Sequence, residues 1–163
     1  AGSCSAMTLR QVAHMQARHP SIALAADDAA DADALAERAF AAARAHIDAG
    51  RDVLVYSSAP PEAVAELQRR HGKERIAQRI EAGFAGLAKR LVAHGVRRLV
   101  VAGGETSGAV VSALGVRALA IGPQIDPGVP ATLALGEPQL ALVLKSGNFG
   151  SEDFFSKALE ALR

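Results

Sequence analysis

Tryptophan is absent from this chain, aromatic residues make up 4%, and Cys4 is the single cysteine. One thiol excludes an internal disulfide and gives no zinc-finger spacing. The longest apolar stretches fall far short of a membrane span, and no cationic leader precedes an apolar segment of signal-peptide type, so the sequence reads as soluble and cytoplasmic. An excess of charge of one sign is missing too: 18 basic against 17 acidic residues leave +1, too little to gather nucleic acid or an anionic membrane. A ligand must therefore be held by local geometry. Two common phosphate-binding fingerprints are also absent. No G-x-x-x-x-G-K-[ST] occurs, which excludes a standard P-loop, and the glycines at 103, 104 and 108 do not have the spacing of a dinucleotide-binding Rossmann turn.

What is present is alanine and periodicity. Half of the 163 residues are hydrophobic, and many of these are alanine, which fits a helix-rich α/β domain packed through small side chains. Apolar spacing and capping residues predict helices over Thr8 to His19, Asp31 to Ala49, Lys73 to His94, Glu105 to Leu114 and Ser151 to Leu162, with a short one starting at Pro60-Pro61. Between them lie predicted strands over Ser21 to Leu24, Asp52 to Ser57, Arg97 to Ala102, Arg117 to Ile121, Thr132 to Leu135 and Leu140 to Leu144. Gly122 to Pro130 reads as a proline-glycine loop. This alternation predicts one α/β domain spanning residues 1–163, a mostly parallel sheet with helices on both faces.

The most informative stretch is Leu99-Val-Val-Ala-Gly-Gly-Glu-Thr-Ser-Gly108. An apolar strand stops on Gly103-Gly104, which allow close backbone approach, and restarts at a helix opening. The free amides around Thr106 and Ser107, aided by the helix dipole, form a candidate phosphate seat. Two further small-residue turns, Gly2-Ser-Cys-Ser5 and Lys145-Ser-Gly-Asn-Phe-Gly150, follow or precede regular elements in the same way. In an open α/β sheet, ligands bind at the carboxyl ends of the strands, so all three turns would line one cleft if the strands before them run parallel.

Together with Pro127-Gly-Val-Pro130 and Asp153-Phe-Phe155, these motifs span essentially the whole chain. They resemble the C-terminal, nucleotide-binding domain of the four-carbon acid sugar kinases. The resemblance implies an ATP cleft, Mg2+ as companion ion, and a sugar acid of the tetronate type as phosphoryl acceptor. It implies nucleotide contacts from Ser3, Gly103, Gly104, Glu105, Thr106, Ser107, Gly108, Lys145, Gly147 and Asn148. It also implies that this is a single lobe of a two-lobed kinase, with an N-terminal substrate lobe absent. The opening on Ala1, inside a motif and without methionine, leads to the same expectation of a fragment.

Each residue has a plainer reading beside the functional one. Ser3 and Ser5 could cap the first helix. Lys145 could neutralise phosphate or snorkel from a strand end. Glu105 could approach Mg2+ through water, and favouring the helix dipole is the preferred reading. Asn148 could read adenine or hold its turn. Asp126 and Asp153 read as turn and cap residues rather than metal ligands. His14 and His19 fall on different helix faces and form no metal pair. No catalytic base and no metal ligand set is assigned. Two rival functions stay open: a non-catalytic nucleotide-binding regulatory module, and a thiol enzyme using Cys4. The composition is compatible with a homo-oligomer.

Overall fold

The computed structural model describes residues 1–24, 31–57 and 73–163; the predicted helix at Pro60-Pro61 lies outside them. The described elements are α1 (Ala6–Gln16), β1 (Ser21–Ala23), α2 (Ala32–Asp48), β2 (Leu54–Tyr56), α3 (Lys73–Ala93), β3 (Arg98–Ala102), α4 (Gly104–Ala113), β4 (Leu119–Asp126), β5 (Val129–Ala134), β6 (Leu140–Lys145) and α5 (Phe154–Ala161). β1 and β2 pair in parallel, and a four-stranded sheet runs β3-β6-β5-β4. Within it β3 and β6 are parallel, which sets the ends of both at one edge.

Helices cover both faces, as expected. Val12 and Met15 of α1 and Phe154, Phe155 and Ala158 of α5 meet Ala102 and Val143 on one side of the strands. On the other, Ala36 and Ala39 of α2, Phe84 and Leu87 of α3 and Val110 of α4 pack against Val101. Neighbouring strand residues point to opposite faces, so Val101 and Ala102 belong to different cores. The scarcity of aromatics has its structural counterpart between α2 and α3, where a Cβ at Gly86 would stand 3.0 Å from the Ala36 Cβ. Only small side chains permit that approach.

One expectation is overturned. Gly122 to Pro130 is not a loop: β4 continues to Asp126, and β5 starts at Val129 after a turn at Gly128. Pro123 is tolerated because β4 is an edge strand, where a missing N–H leaves no ladder partner wanting. Register shifts between Ile121 and Asp126 absorb the irregularity. The connections from β4 to β5 and from β5 to β6 are too short for a parallel crossover, so these strands add an antiparallel edge beyond β6.

Asp126 closes that edge against α5. Its carboxylate accepts from both the Ser151 backbone N–H and the Ser151 hydroxyl at 2.7 Å, with Lys157 Nζ 3.7 Å away. The Ser151 amide, followed by its hydroxyl and the Lys157 charge, holds the Asp126 carboxyl below the usual carboxylate range despite partial burial. The Ser151 hydroxyl, with one proton to share, stands 2.7 Å from Asp153 as well, and Asp153 pairs with Lys157 at 3.1 Å; Asp153 lies in the turn before α5 as the sequence suggests, whereas Asp126 ends β4. Asp126→Ala should lower stability by about 2 kcal/mol, the scale of hydrogen bonds to a charged group, which is a fall in Tm of about 4–8 °C. Because the folded pKa is depressed, this stabilisation is present above the unfolded value and is lost as pH falls through the folded one. Thermal melts from pH 7 down to pH 3 should show the two proteins converging.

Candidate functional site

Ala1 and Gly2 lie between β2 and β3, and Gly2 N–H donates to Ala102 O at 2.8 Å. Ser5 then caps α1, its hydroxyl accepting from Thr8 N–H at 3.2 Å. The turn after β3 and the turn after β6 open at the same edge. Gly103 N–H donates to Lys145 O at 2.9 Å, which ties the two strand ends together. The three segments touch: a Cβ at Gly2 would stand 2.1 Å from Thr106 Oγ1, one at Gly103 3.2 Å from Ser3 N, and one at Gly147 2.1 Å from Ser3 Oγ.

Their meeting point is the floor of a cleft of about 440 Å3, within the ~300–1,000 Å3 of ordinary small-molecule sites. Ser3, Gly103, Gly104, Glu105, Thr106, Gly147 and Asn148 all line it. α4 opens on this floor without a side-chain cap, so the amides of Gly104, Glu105 and Thr106, ahead of the first helical hydrogen bond from Ser107 N–H to Gly103 O, have no intrahelical partners and face the cleft with the positive end of the helix dipole. Gly104 adds room, since a Cβ there would meet no heavy atom within 4 Å.

Three of the expected residues lie elsewhere. Ser107 and Gly108 lie where the first turn of α4 passes into the second and are not in the lining; the Ser107 N–H, expected to be free, closes the first helical hydrogen bond to Gly103 O at 2.9 Å, and the Ser107 hydroxyl is buried without a hydrogen-bond partner. Lys145 is 3% exposed and turns beneath the loop, where its Nζ donates to Ser146 O and Gly147 O at 3.1 Å above the rings of Phe154 and Phe155. Burial lowers its pKa to about 8. It supports the turn from below rather than projecting a cation into the cleft.

Other residues contribute that sequence reading assigned to the core or passed over. Ile76, Ala77, Ile80 and Glu81 of α3 form one wall. Ile76 and Ile80 belong to the apolar stripe of α3, and nothing in a stripe says which of its turns overhangs the end of a sheet. The Glu81 carboxyl is pushed up by burial and then by the charge of Glu105. Beneath the Ser146-Gly147 turn, the Thr8 hydroxyl donates to Gly147 O at 2.8 Å. Gln11, fully buried, donates through Nε2 to the carbonyls of Phe149, Gly150 and Ser151. The spacing of Ser5, Thr8 and Gln11, three residues apart on α1, is the one available signal for this polar face. Cys4 is exposed in the cleft, but no histidine stands among the described lining residues, so the thiol has no base there.

The fold and site define an α/β domain with a ligand cleft at the carboxyl edge of its sheet, floored by glycine turns and an uncapped helix start. Residues 1–155 match the family described as "Nucleotide-binding C-terminal domain", and the chain belongs to that family. It is 50% identical over 163 residues to a 3-oxo-tetronate kinase of Pseudomonas savastanoi pv. phaseolicola, covering 99% of this chain and 37% of the relative. It is 49% identical over 162 residues to a protein of the same name from Burkholderia multivorans, again 99% of this chain and 37% of the relative. A crystal structure of a Haemophilus influenzae protein of family DUF1537 superposes with a TM-score of 0.88 at 36% identity, over 99% of this chain and 39% of that one. The chain thus spans well under half the length of these relatives. Among the described residues, no helix is long and apolar enough to cross a membrane.

Proposed function

We propose that this domain is the ATP-binding lobe of a kinase that phosphorylates a hydroxyl of a four-carbon acid sugar of the tetronate type. The observation that carries the reading is the convergence of Gly2–Ser5, Gly103–Thr106 and Ser146–Asn148 on one cleft at an uncapped helix start. The seat fits a polyphosphate: backbone donors supply the binding, and the open position at Gly104 leaves space for phosphate oxygens. Bound ATP supplies the transferable γ-phosphoryl group; the residues of this lobe bind and orient it. Ser3 and Asn148 are placed to contact the nucleotide, and Ile76 and Ile80 offer the apolar wall that a base prefers.

Mg2+ fits the electrostatics. Glu81 and Glu105 bring two carboxylates near the phosphate seat, and a bare polyphosphate would be repelled by them. Among the described residues no group of three or more His, Cys, Asp and Glu gathers, so the ion would be held chiefly by phosphates and water. Phosphoryl transfer is mostly positioning and charge neutralisation, and acceptor recognition is assigned to a second lobe, so this lobe alone should bind nucleotide without appreciable turnover. The relatives' names lend no support to the rival reading as a regulatory module. Titration calorimetry with MgATP and MgADP is the direct test, and tighter binding of a nicotinamide cofactor than of either would overturn the reading.

Lys145→Met separates a supporting lysine from a phosphate-binding one. Loss of the two struts should weaken MgADP binding by about tenfold, ~1.4 kcal/mol. It should also change the pH dependence of stability. The folded pKa of about 8 lies below the unfolded value of about 10.4, so the unfolded chain binds more protons between them and stability rises with pH over that window. Lys145→Met should abolish this rise in thermal melts from pH 7.5 to pH 10.5. A mutant that keeps the rise would place the lysine in solvent.

A further inference from the structure

α3 and α4 both start at the cleft and run away from it side by side, meeting over Val101 through Phe84, Leu87 and Val110. Successive turns of α3 therefore stand at successive heights above the sheet edge. Phe84 and Leu87 lie in the core. Glu81 comes about one turn before them, lines the cleft, and is near enough to Glu105 to feel its charge. Glu105 is the second residue of α4 and borders the phosphate seat. Ala77 and Ile76 line the cleft one turn farther out, and the step from Glu81 to Ile76 is ~7.5 Å of helix axis. Phosphate seat, carboxylate and apolar wall thus follow one another outward from the sheet, in the order in which a nucleotide carries phosphates, sugar and base.

Glu81 is held in place but has no partner. Its neighbour Ile80 packs into the helical core, so this turn of α3 is anchored. Among the described residues no hydrogen bond or ion pair reaches the Glu81 carboxylate. Lys145, beside the same cleft, spends its Nζ on the carbonyls of Ser146 and Gly147 beneath the loop. No third acidic, histidine or cysteine side chain joins Glu81 and Glu105 to build a metal cage, and Mg2+ is served by phosphate oxygens and water. Partial burial and a like charge nearby make a carboxylate costly to leave without a donor. Between the base and the phosphates of a ribonucleotide, the donors are the vicinal 2′ and 3′ hydroxyls. One carboxylate accepts both through its two oxygens, as acidic residues do for the ribose in dinucleotide-binding folds.

We propose that Glu81 is the ribose-recognition residue of this cleft, its carboxylate accepting from the 2′ and 3′ hydroxyls of a nucleotide whose phosphates lie on the Gly104 turn and whose base lies against Ile76 and Ala77. The inference rests on the nucleotide reading above and adds to it a selectivity for ribonucleotides over deoxyribonucleotides.

The test is titration calorimetry on the 163-residue chain with MgADP and with Mg-2′-deoxyADP. Parent, Glu81→Ala and Glu81→Gln are compared, each checked by a thermal melt; alanine and glutamine both suit a helix. The parent should bind the ribonucleotide about tenfold more tightly, because the deoxy compound leaves a carboxylate oxygen without its donor. Glu81→Ala should bring the two nucleotides within about twofold of each other. Glu81→Gln, which keeps one acceptor oxygen without the charge, should fall between. The ratio is the readout, since loss of a negative charge by itself changes the affinity of both nucleotides alike. A parent that binds both equally would overturn the proposal and leave the nucleotide reading standing. So would a Glu81→Ala protein in which both affinities change by one factor and the ratio persists, which would mean that the carboxylate acts on the phosphates or their Mg2+. Binding of neither nucleotide by the folded parent would overturn the nucleotide reading and this proposal with it.

Discussion

A Gly104→Val protein is expected to lose at least about 100-fold in MgATP affinity, ~2.7 kcal/mol, while its Tm stays within about 4 °C of the parent. Gly104 is the first residue of α4 and is exposed. A Cβ there meets nothing within 4 Å, and the backbone is not in the left-handed region. The fold therefore has no reason to resist a side chain, and valine is a better helix residue than glycine. The space that the isopropyl group enters is the cleft, over the amides that α4 leaves without intrahelical partners. Calorimetry and a thermal melt on the same sample decide the matter. Unchanged affinity in the folded protein would show that these amides are not the phosphate seat.

Much of this arrangement is written locally. The apolar run Leu99-Val-Val ending on two glycines specifies a strand that stops and a helix that starts, and Ser5 caps α1 through the short-range contact its position predicts. The long stripe of α3 likewise fixes a helix, because Phe84 and Leu87 recur on one face and find a core there. What escaped depends on partners distant in sequence. Pro123 argues against a strand unless that strand is known to be an edge. A lysine closing a buried strand can turn either way; Lys145 turns inward because Phe154, Phe155 and two carbonyls wait beneath the loop. Glu81 and Ile76 become part of the cleft only because the start of α3 overhangs the sheet edge.

Gly103→Ala should fail in the opposite manner from Gly104→Val, with loss of stability first and of binding as its consequence. Gly103 adopts φ 121 and ψ 130, a conformation that costs an L-residue about 1–3 kcal/mol. The added Cβ would stand 3.2 Å from both Ser3 N and Thr106 Oγ1, and the backbone has little freedom to move away. Gly103 N–H is held by Lys145 O and its carbonyl by Ser107 N–H, each at 2.9 Å. Strain and contact together should cost about 3 kcal/mol, which is a fall in Tm of about 6–12 °C. Relief by shifting Ser3 or Thr106 would pull apart the floor where the three turns meet, so nucleotide affinity should fall in whatever fraction remains folded. The adjacent glycines thus separate the two demands on this turn: one serves the chain's own geometry and the other leaves room for a ligand. Should Gly103→Ala melt with the parent and lose only binding, the contact between the Gly2–Ser5 and Gly103–Thr106 turns would not be what holds the cleft together.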